Sequence, residues 1–167
     1  QNAGAALATL RLLGKGAAEA AVTRAEWPAR MQRLRRGPLV DAAGRAELWL
    51  DGGHNPAGGQ AVAATLAAMP QRPTHLICGM LNTKDIAGYL RPLAPYTASL
   101  HAVSIPGEAA TLPAAATCAA AQTAGMRAAE AGSVTEALRT VIAEDSTARI
   151  LICGSLYLAG QVLRENG

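Results

Sequence analysis

From residue 37 onward, short apolar runs alternate with longer segments in which apolar residues recur every three or four positions. The first pattern predicts buried strands and the second predicts helices. Strands are expected over residues 38–40, 47–50, 76–80, 99–105 and 149–153, and helices over 57–69, 86–93, 114–124, 133–144 and 157–165. The first two strands are close enough to form a hairpin. The alternation predicts an α/β fold with a mostly parallel sheet of about five or six strands and helices on both faces.

The first 36 residues have a different pattern. A helix is expected over residues 2–13, ended by Gly14, and a second over residues 17–25, ahead of Trp27-Pro28. We therefore expect residues 1–36 to be distinct from a sheet domain over residues 37–167. The sequence begins with Gln1 and opens directly on a helical pattern, so it is expected to be a fragment of a longer protein.

Composition narrows the class of protein. Half of the residues are hydrophobic and 16% are charged, with a formal net charge of +3. The hydrophobic fraction excludes an intrinsically disordered chain. No apolar run approaches the roughly 18 to 20 residues that a membrane-spanning helix needs. The net charge is too small to indicate a nucleic acid or another anionic partner. Phe is absent and aromatic residues make up 3%, so nucleic-acid binding by base stacking is not expected.

The cysteines and two of the histidines are expected to be structural. Cys78, Cys118 and Cys153 lack C-x-x-C spacing and lie in apolar or Ala-rich segments. This is typical of buried free thiols in a cytoplasmic protein. We interpret His75 and His101, on predicted strands, as structural residues.

Chemistry-bearing residues follow the predicted strands. Asp51 and His54, with two glycines between them, come directly after one strand, Lys84 follows another, and Ser155 lies at the start of a helix. Ligands of parallel sheets collect at the carboxyl ends of strands, and a hydroxyl at a helix N-terminus favours an anion. The alternative is that Asp51, Asn55 and Ser155 only cap helices and Lys84 is a surface residue.

Several familiar motifs are missing from this sequence. It has no G-x-x-x-x-G-K-[ST] phosphate loop, no G-x-G-x-x-G fingerprint and no G-x-S-x-G elbow. Asp51 and His54 alone are too few for a metal site. A stand-alone ligand-binding or hydrolase domain that uses Asp51, His54 and Ser155 therefore stays open, as does a non-catalytic scaffold.

Five segments together resemble one known family. They occur in the order Gln1-Asn-Ala, Trp27-Pro-Ala-Arg30-Met-Gln, Leu50-Asp51-Gly-Gly-His54-Asn-Pro, Lys84-Asp85 and Gly154-Ser155-Leu-Tyr-Leu-Ala-Gly160. The chain resembles the C-terminal domain of bacterial folylpolyglutamate synthase/dihydrofolate synthase, a relative of the Mur ligases. D-G-x-H-N-P is also found in Mur ligases, so another Mur-type amide ligase is the alternative.

The resemblance implies a Rossmann-like domain of an ATP-dependent ligase. In that family ATP phosphorylates a substrate carboxylate, and the amino group of L-glutamate attacks the acyl phosphate. The acceptor is dihydropteroate or a folate. The phosphate loop and the Mg²⁺ ligands are expected in a preceding ATPase domain, of which residues 1–36 would be the tail and linker. The isolated fragment is expected to be inactive, and the parent enzyme is expected to be cytoplasmic and monomeric, without nucleic-acid or membrane partners.

The resemblance also assigns roles to individual residues. It implies nucleotide binding by Asn2, Arg30 and Asp51, and glutamate binding by His54, Lys84 and Ser155, with no metal ligand among them. His54 is also the implied catalytic residue, since a neutral imidazole can take a proton from the attacking amine.

Two positions depart from the family pattern. Ala29 stands where glycine commonly precedes the arginine, so we expect strain there if the backbone has positive φ. Gly53 stands where alanine is commoner, which removes no functional group.

Overall fold

A computed structural model describes residues 2–14 and 27–166, and it places six strands in one sheet. The strands are β1 Gln32–Arg33, β2 Glu47–Leu50, β3 Thr74–Cys78, β4 Ser99–Ala102, β5 Ala128–Glu130 and β6 Arg149–Cys153. The helices are α1 Asn2–Leu12, α2 Pro38–Ala43, α3 Pro56–Ala68, α4 Ile86–Leu90, α5 Ala114–Thr123, α6 Val134–Glu144 and α7 Leu156–Asn166, and a 3-10 helix spans Arg91–Tyr96. The predicted helix over 17–25 lies outside the described residues.

The sheet is mostly parallel, as predicted. Its strand order is β1-β2-β6-β3-β4-β5, and only the pairing of β1 with β2 is antiparallel. Within it, β6 lies between β2 and β3, with Leu50 opposite Ile152 and Cys78 opposite Cys153. The last strand in the sequence, β6, thus lies between β2 and β3, which come from the first half of the chain.

Helices cover both faces of the sheet, which gives the predicted three layers. Alternate residues of each strand enter opposite cores, so Ile150 and Ile152 pack with α2, α6 and α7, whereas Leu151 packs with α3, α4 and α5. This two-sided burial explains why β6 reads as a continuous apolar run. Ala29 and Leu34 enter the first core. The division of the chain at residue 37 stays a prediction.

The expected strand over 38–40 is wrong. Those residues begin helix α2, because Pro38 stands at its first position and the Leu39 N–H is capped by Asn166 Oδ1 at 3.0 Å. The antiparallel partner of β2 is instead the two-residue β1, where Gln32 lies opposite Leu50.

Other predicted elements exist with changed limits. The strand expected over 99–105 ends at Ala102, and β3 runs from Thr74 to Cys78 rather than over 76–80. The helix expected over 86–93 ends at Leu90 and continues as the 3-10 helix. Strand β5 was not predicted, because its three residues are mostly exposed and carry no apolar pattern.

Two histidines and a serine form a buried polar cluster on β3 and β4. His75 Nδ1 lies 2.8 Å from Ser99 Oγ, which lies 3.4 Å from His101 Nε2. All three residues are at most 5% exposed. Burial lowers the pKa of both histidines. Their predicted structural role fits this placement.

Glu47 forms the centre of a charged cluster where β2 begins. Its carboxylate lies 3.2 Å from Arg33, 3.5 Å from Arg72 and 3.5 Å from Arg149, and it accepts from Trp49 Nε1 at 3.2 Å. Burial opposes ionisation of Glu47, but the Trp49 hydrogen bond and the three arginines outweigh it and lower its pKa. Arg149 is 3% exposed, so Glu47 compensates a buried cation.

The cysteines behave as predicted: all three are free and buried. Among the described residues, no helix combines the length and the apolar character needed to cross a bilayer.

Candidate functional site

The candidate residues gather at the carboxyl edge of the sheet. Asp51 extends β2 beyond Leu50 and donates its backbone N–H to the Ile152 carbonyl of β6 at 2.9 Å. Ser155 follows the end of β6, and Lys84 lies in the loop after β3. Because β2, β6 and β3 are parallel neighbours, their following residues meet at one edge. This placement agrees with the sequence prediction.

Asp51 is buried, and both oxygens of its carboxylate accept backbone hydrogen bonds. Oδ2 accepts from Met31 N–H at 2.8 Å, and Oδ1 accepts from Gly53 N–H at 2.7 Å. The side chain is 5% exposed. A Cβ at Gly53 would lie 2.8 Å from Asp51 Oδ1, so the glycine leaves the carboxylate room to accept this bond. Asp51 thus joins the segment before β1 to the loop after β2.

Arg30 lies in a strained turn beside Asp51. Ala29 has φ of 56° and Met31 has φ of 39°, so the two neighbours of Arg30 both adopt positive φ. The strain expected at Ala29 is therefore present. Arg30 is exposed, and its NH1 donates to the Ala29 carbonyl at 3.1 Å. An exposed guanidinium at this edge suits phosphate oxygens.

His54 is half-buried in the loop between β2 and α3. Its Nδ1 lies 2.9 Å from the Gly52 carbonyl oxygen, which can only accept, so Nδ1 carries the proton of this hydrogen bond. In the neutral ring, Nε2 then keeps its lone pair. Asn55 Oδ1 accepts from Gly58 N–H at 2.8 Å and so caps α3, which is the helix-capping role that the sequence suggested for Asn55.

Ser155 is 3% exposed and lies directly before α7. Its Oγ accepts from the Tyr157 N–H at 3.0 Å, which is a helix-capping bond. The hydroxyl proton is still available as a donor, because the cap uses only an oxygen lone pair. Among the described residues, Ser155 has no hydrogen bond to a histidine, so the arrangement of a serine hydrolase is not formed.

Lys84 is exposed in the loop between β3 and α4. Its backbone N–H donates to the Leu81 carbonyl at 3.2 Å. The adjacent Asp85 caps α4 by accepting from Gly88 N–H at 2.9 Å. Within residues 2–14 and 27–166, Lys84 has no ion pair with a carboxylate.

Two adjoining clefts contain these side chains. The first, of about 390 Å³, is lined by Arg30, Asp51 and His54 among others. The second, of about 230 Å³, is lined by His54, Lys84 and Ser155 together with the exposed Leu156 and Tyr157. His54 lines both clefts. A larger cleft of about 590 Å³ lies at the opposite, amino-terminal edge and contains none of the implied substrate residues.

Three buried weak acids lie next to residues that line the clefts: a Cβ at Gly53 would lie 3.5 Å from Tyr89 Cε2, and one at Gly154 would lie 2.8 Å from Cys78 Sγ. Cys78 and Cys153 lie opposite each other on β3 and β6, and Tyr89 of α4 is 0% exposed. The Cys153 thiol and burial raise the pKa of Cys78 well above its ordinary value, and burial raises that of Tyr89 likewise. Tyr89 was not singled out from the sequence, since a single apolar-context tyrosine gives no local signal.

A magnesium site is not built by the residues at hand. In the part of the chain that the structure describes, no three His, Cys, Asp or Glu side chains come together as ligands. The described residues by themselves therefore do not fit Mg²⁺.

Of the six predicted site residues, the structure brings five together. Arg30, Asp51, His54, Lys84 and Ser155 line the two clefts. Asn2 begins α1, and its role at the nucleotide stays a prediction. Sequence reasoning missed Gln32, whose Oε1 accepts from the Ala29 N–H at 2.8 Å and closes the turn that carries Arg30. The sequence did offer one signal for this role, because Gln32 is a polar residue three positions after Ala29, where strain was expected.

Comparisons with known proteins place the sequence and the fold among the folylpolyglutamate synthases. A folylpolyglutamate synthase from Lacticaseibacillus casei is 31% identical over 140 residues, which are 81% of this chain and 29% of that protein. The structure of Mycobacterium tuberculosis folylpolyglutamate synthase with ADP and AMPPCP is 28% identical with a TM-score of 0.71, covering 90% of this chain and 34% of that one. E. coli FolC with ADP shares the fold, at 24% identity and a TM-score of 0.78, over 98% of this chain and 38% of that one.

The chain thus spans about a third of the length of these relatives. The family model described as "Mur ligase, glutamate ligase domain" matches residues 29–156, from the strained turn before β1 to the first residue of α7. That range contains five of the six predicted site residues, and the resemblance found in the sequence is confirmed. The chain belongs to the family of Mur ligase glutamate ligase domains.

Proposed function

We propose that this chain is the C-terminal domain of an ATP-dependent ligase that adds L-glutamate to dihydropteroate, to folates or to both. The observation that carries the proposal is the position of His54, which lines both the cleft of Arg30 and Asp51 and the cleft of Lys84 and Ser155. In an acyl-phosphate ligase, the phosphoryl group and the incoming amine must meet at one carbonyl carbon. His54 lies between the two clefts, and this position supports a role for it at that carbonyl carbon.

The first cleft is the proposed nucleotide side. Arg30 offers an exposed guanidinium to phosphate oxygens, where its fork of N–H donors favours bidentate binding. Asp51 already accepts two backbone bonds, so further contact with a ribose hydroxyl would use its remaining lone pairs. ATP would phosphorylate the carboxylate of the folate or pteroate substrate and leave as ADP.

The second cleft is the proposed glutamate side. Lys84 supplies an exposed ammonium and Ser155 a hydroxyl donor at the positive end of α7, and both suit the carboxylates of L-glutamate. His54 Nε2 takes a proton from the attacking α-amino group. The amine then forms the amide bond at the acyl carbon, and inorganic phosphate leaves with the electrons of the broken C–O bond.

Steady-state kinetics of the full-length protein tests this assignment, with ATP, L-glutamate and the folate substrate each varied in turn. Arg30→Gln is expected to raise the KM for ATP, and Ser155→Ala and Lys84→Ala to raise the KM for glutamate. His54→Ala is expected to lower kcat. Dihydropteroate and tetrahydrofolate, compared as substrates, establish which acceptor the enzyme uses.

Two matched variants separate substrate binding from structural effects. Ser133→Ala removes another helix cap, on α6, where Ser133 Oγ accepts from Glu136 N–H at 3.1 Å, and it is expected to leave glutamate kinetics unchanged. Arg139→Ala removes an exposed cation of α6 and should do the same. If Ser155→Ala and Lys84→Ala behave like these controls, both residues are only structural and the glutamate site lies elsewhere.

A further inference from the structure

The turn that carries Arg30 adopts a conformation that its residues disfavour. Neither Ala29, with φ of 56°, nor Met31, with φ of 39°, is a glycine, and they flank Arg30 directly. Positive φ at a non-glycine residue is uncommon and persists only where the surroundings hold it. Two such residues within three positions require specific contacts.

Three hydrogen bonds of 2.8 Å hold this turn. Ala29 N–H donates to Gln32 Oε1, and Met31 N–H donates to Asp51 Oδ2. The Ala29 carbonyl accepts from the Gly52 N–H. Two of the three hydrogen bonds thus have a side-chain acceptor. A substitution at Gln32 or Asp51 can remove that acceptor and leave residues 29–31 unchanged.

We propose that Gln32 and Asp51 are positioning residues that fix this strained turn and so hold Arg30 at the nucleotide cleft before ATP binds. The proposal rests on the function proposed above for Arg30. A guanidinium on a preset backbone loses less freedom when it binds phosphate than one on a mobile loop, so binding is stronger.

The two residues are expected to differ in what else they hold. In the part of the chain that the structure describes, the Gln32 side chain has a hydrogen bond to the Ala29 N–H alone, which closes the turn of Arg30. Asp51 Oδ1 also accepts from Gly53 N–H, next to His54. Loss of the Gln32 acceptor should therefore affect ATP alone, whereas loss of an Asp51 oxygen should also disturb His54 and the chemical step.

The experiment compares Gln32→Met, Gln32→Glu and Asp51→Asn in the full-length enzyme. Methionine matches glutamine in length but has no comparable acceptor, whereas glutamate keeps one. Gln32→Met is expected to raise the KM for ATP about tenfold, the effect of one lost half-buried hydrogen bond, with kcat and the KM for glutamate unchanged. Gln32→Glu should retain the wild-type KM for ATP, and Asp51→Asn should raise it and also lower kcat. Gln71→Met, an exposed glutamine at the far edge of the sheet, is the control.

Hydrogen-exchange mass spectrometry of the same proteins reports on the turn directly. Faster exchange of residues 29–31 in Gln32→Met, with the rest of the sheet unchanged, is the expected result. Wild-type exchange together with a wild-type KM for ATP would overturn the proposal, as would an equal rise in the KM for ATP and for glutamate. If Arg30→Gln leaves the KM for ATP unchanged, the proposed function of Arg30 fails, while exchange still decides whether Gln32 holds the turn.

Discussion

Asn166, in the last turn of α7, caps the start of α2: its Oδ1 accepts from the N–H of Leu39, 127 residues earlier in the chain, at 3.0 Å. Its Nδ2 donates to the Arg36 carbonyl at 2.7 Å. Gly37, the residue before α2, has φ of 102° and no side chain that could supply this cap. A Cβ at Gly37 would also overlap the backbone oxygen of Asn166. The carboxyl end of α7 is thereby joined to the start of α2 and to the residue two positions before it.

Asn166→Ala is expected to lower the free energy of unfolding by about 2 to 3 kcal/mol, because one buried and one half-buried hydrogen bond are lost and the Leu39 N–H is left without its acceptor. Urea unfolding followed by circular dichroism measures the change. Asn82→Ala, at an exposed asparagine, is the control and should stay within about 0.5 kcal/mol of wild type. Equal stabilities of the two variants would contradict the capping role.

This cap also explains where sequence reasoning failed. Residues 38–40 form a short apolar run, and nothing near them supplies a helix cap. The acceptor comes from Asn166, a tertiary contact that local pattern does not encode. By contrast, the starts of α3 and α6 were predicted to within one residue, because Asn55 and Ser133 cap their helices from within the local sequence.

Glu47→Gln is expected to lower the free energy of unfolding by about 2 to 4 kcal/mol, since it leaves the buried Arg149 without its carboxylate. Glu144→Gln is the matched control: its pair with Arg127, at 2.7 Å, is exposed and screened by solvent, so its loss should change stability much less. Chemical denaturation of both variants at neutral pH measures the difference. Similar small losses would show that Arg149 is satisfied without Glu47.

Stability is expected to fall on mild acidification because of the buried histidines. Their pKa values are lowered in the folded protein, whereas each is about 6.5 when unfolded. The unfolded chain therefore binds more protons as the pH falls below about 6.5, and stability decreases until the pH reaches the folded-state values. Unfolding free energies at pH 7.5 and 5.5 measure this decrease.

The variant pair His75→Gln and His101→Gln, combined in one protein, tests the origin of that slope. Neither glutamine titrates, so the dependence of stability on pH between 7.5 and 5.5 should flatten even if the variant is less stable throughout. An unchanged slope would assign the effect to other groups.

Gly154→Ala should be strongly destabilising, by about 3 kcal/mol or more, from positive φ and overlap together. Gly154 has φ of 103°, and a Cβ there would lie 2.8 Å from both Cys78 Sγ and the Gly79 carbonyl oxygen. Gly107 also has positive φ, of 72°, but a Cβ there meets no atom within 4 Å. Gly107→Ala should therefore cost only about 1 kcal/mol. Thermal unfolding of the two variants separates strain from overlap.

The candidate site was predictable as a set of strand ends, since Asp51, Lys84 and Ser155 each follow an apolar run in the sequence. Their partners were not predictable. The bond of Asp51 to the Met31 amide depends on the positive φ of Met31, which no local pattern reveals. The two-residue β1 is too short for any periodicity, yet its pairing with β2 brings Arg30 to the cleft.

The charge state of the buried thiol and phenol beside the clefts affects how strongly an anionic ligand is repelled there. Because their pKa values are raised, the Cys78 thiol and the Tyr89 phenol stay uncharged at neutral pH. These two groups therefore do not repel an anionic ligand. A protonated, buried thiol is also a poor nucleophile and does not intercept an activated acyl group. In the reaction proposed above, the Cys78 thiol would therefore not compete with the amine of L-glutamate for the acyl phosphate.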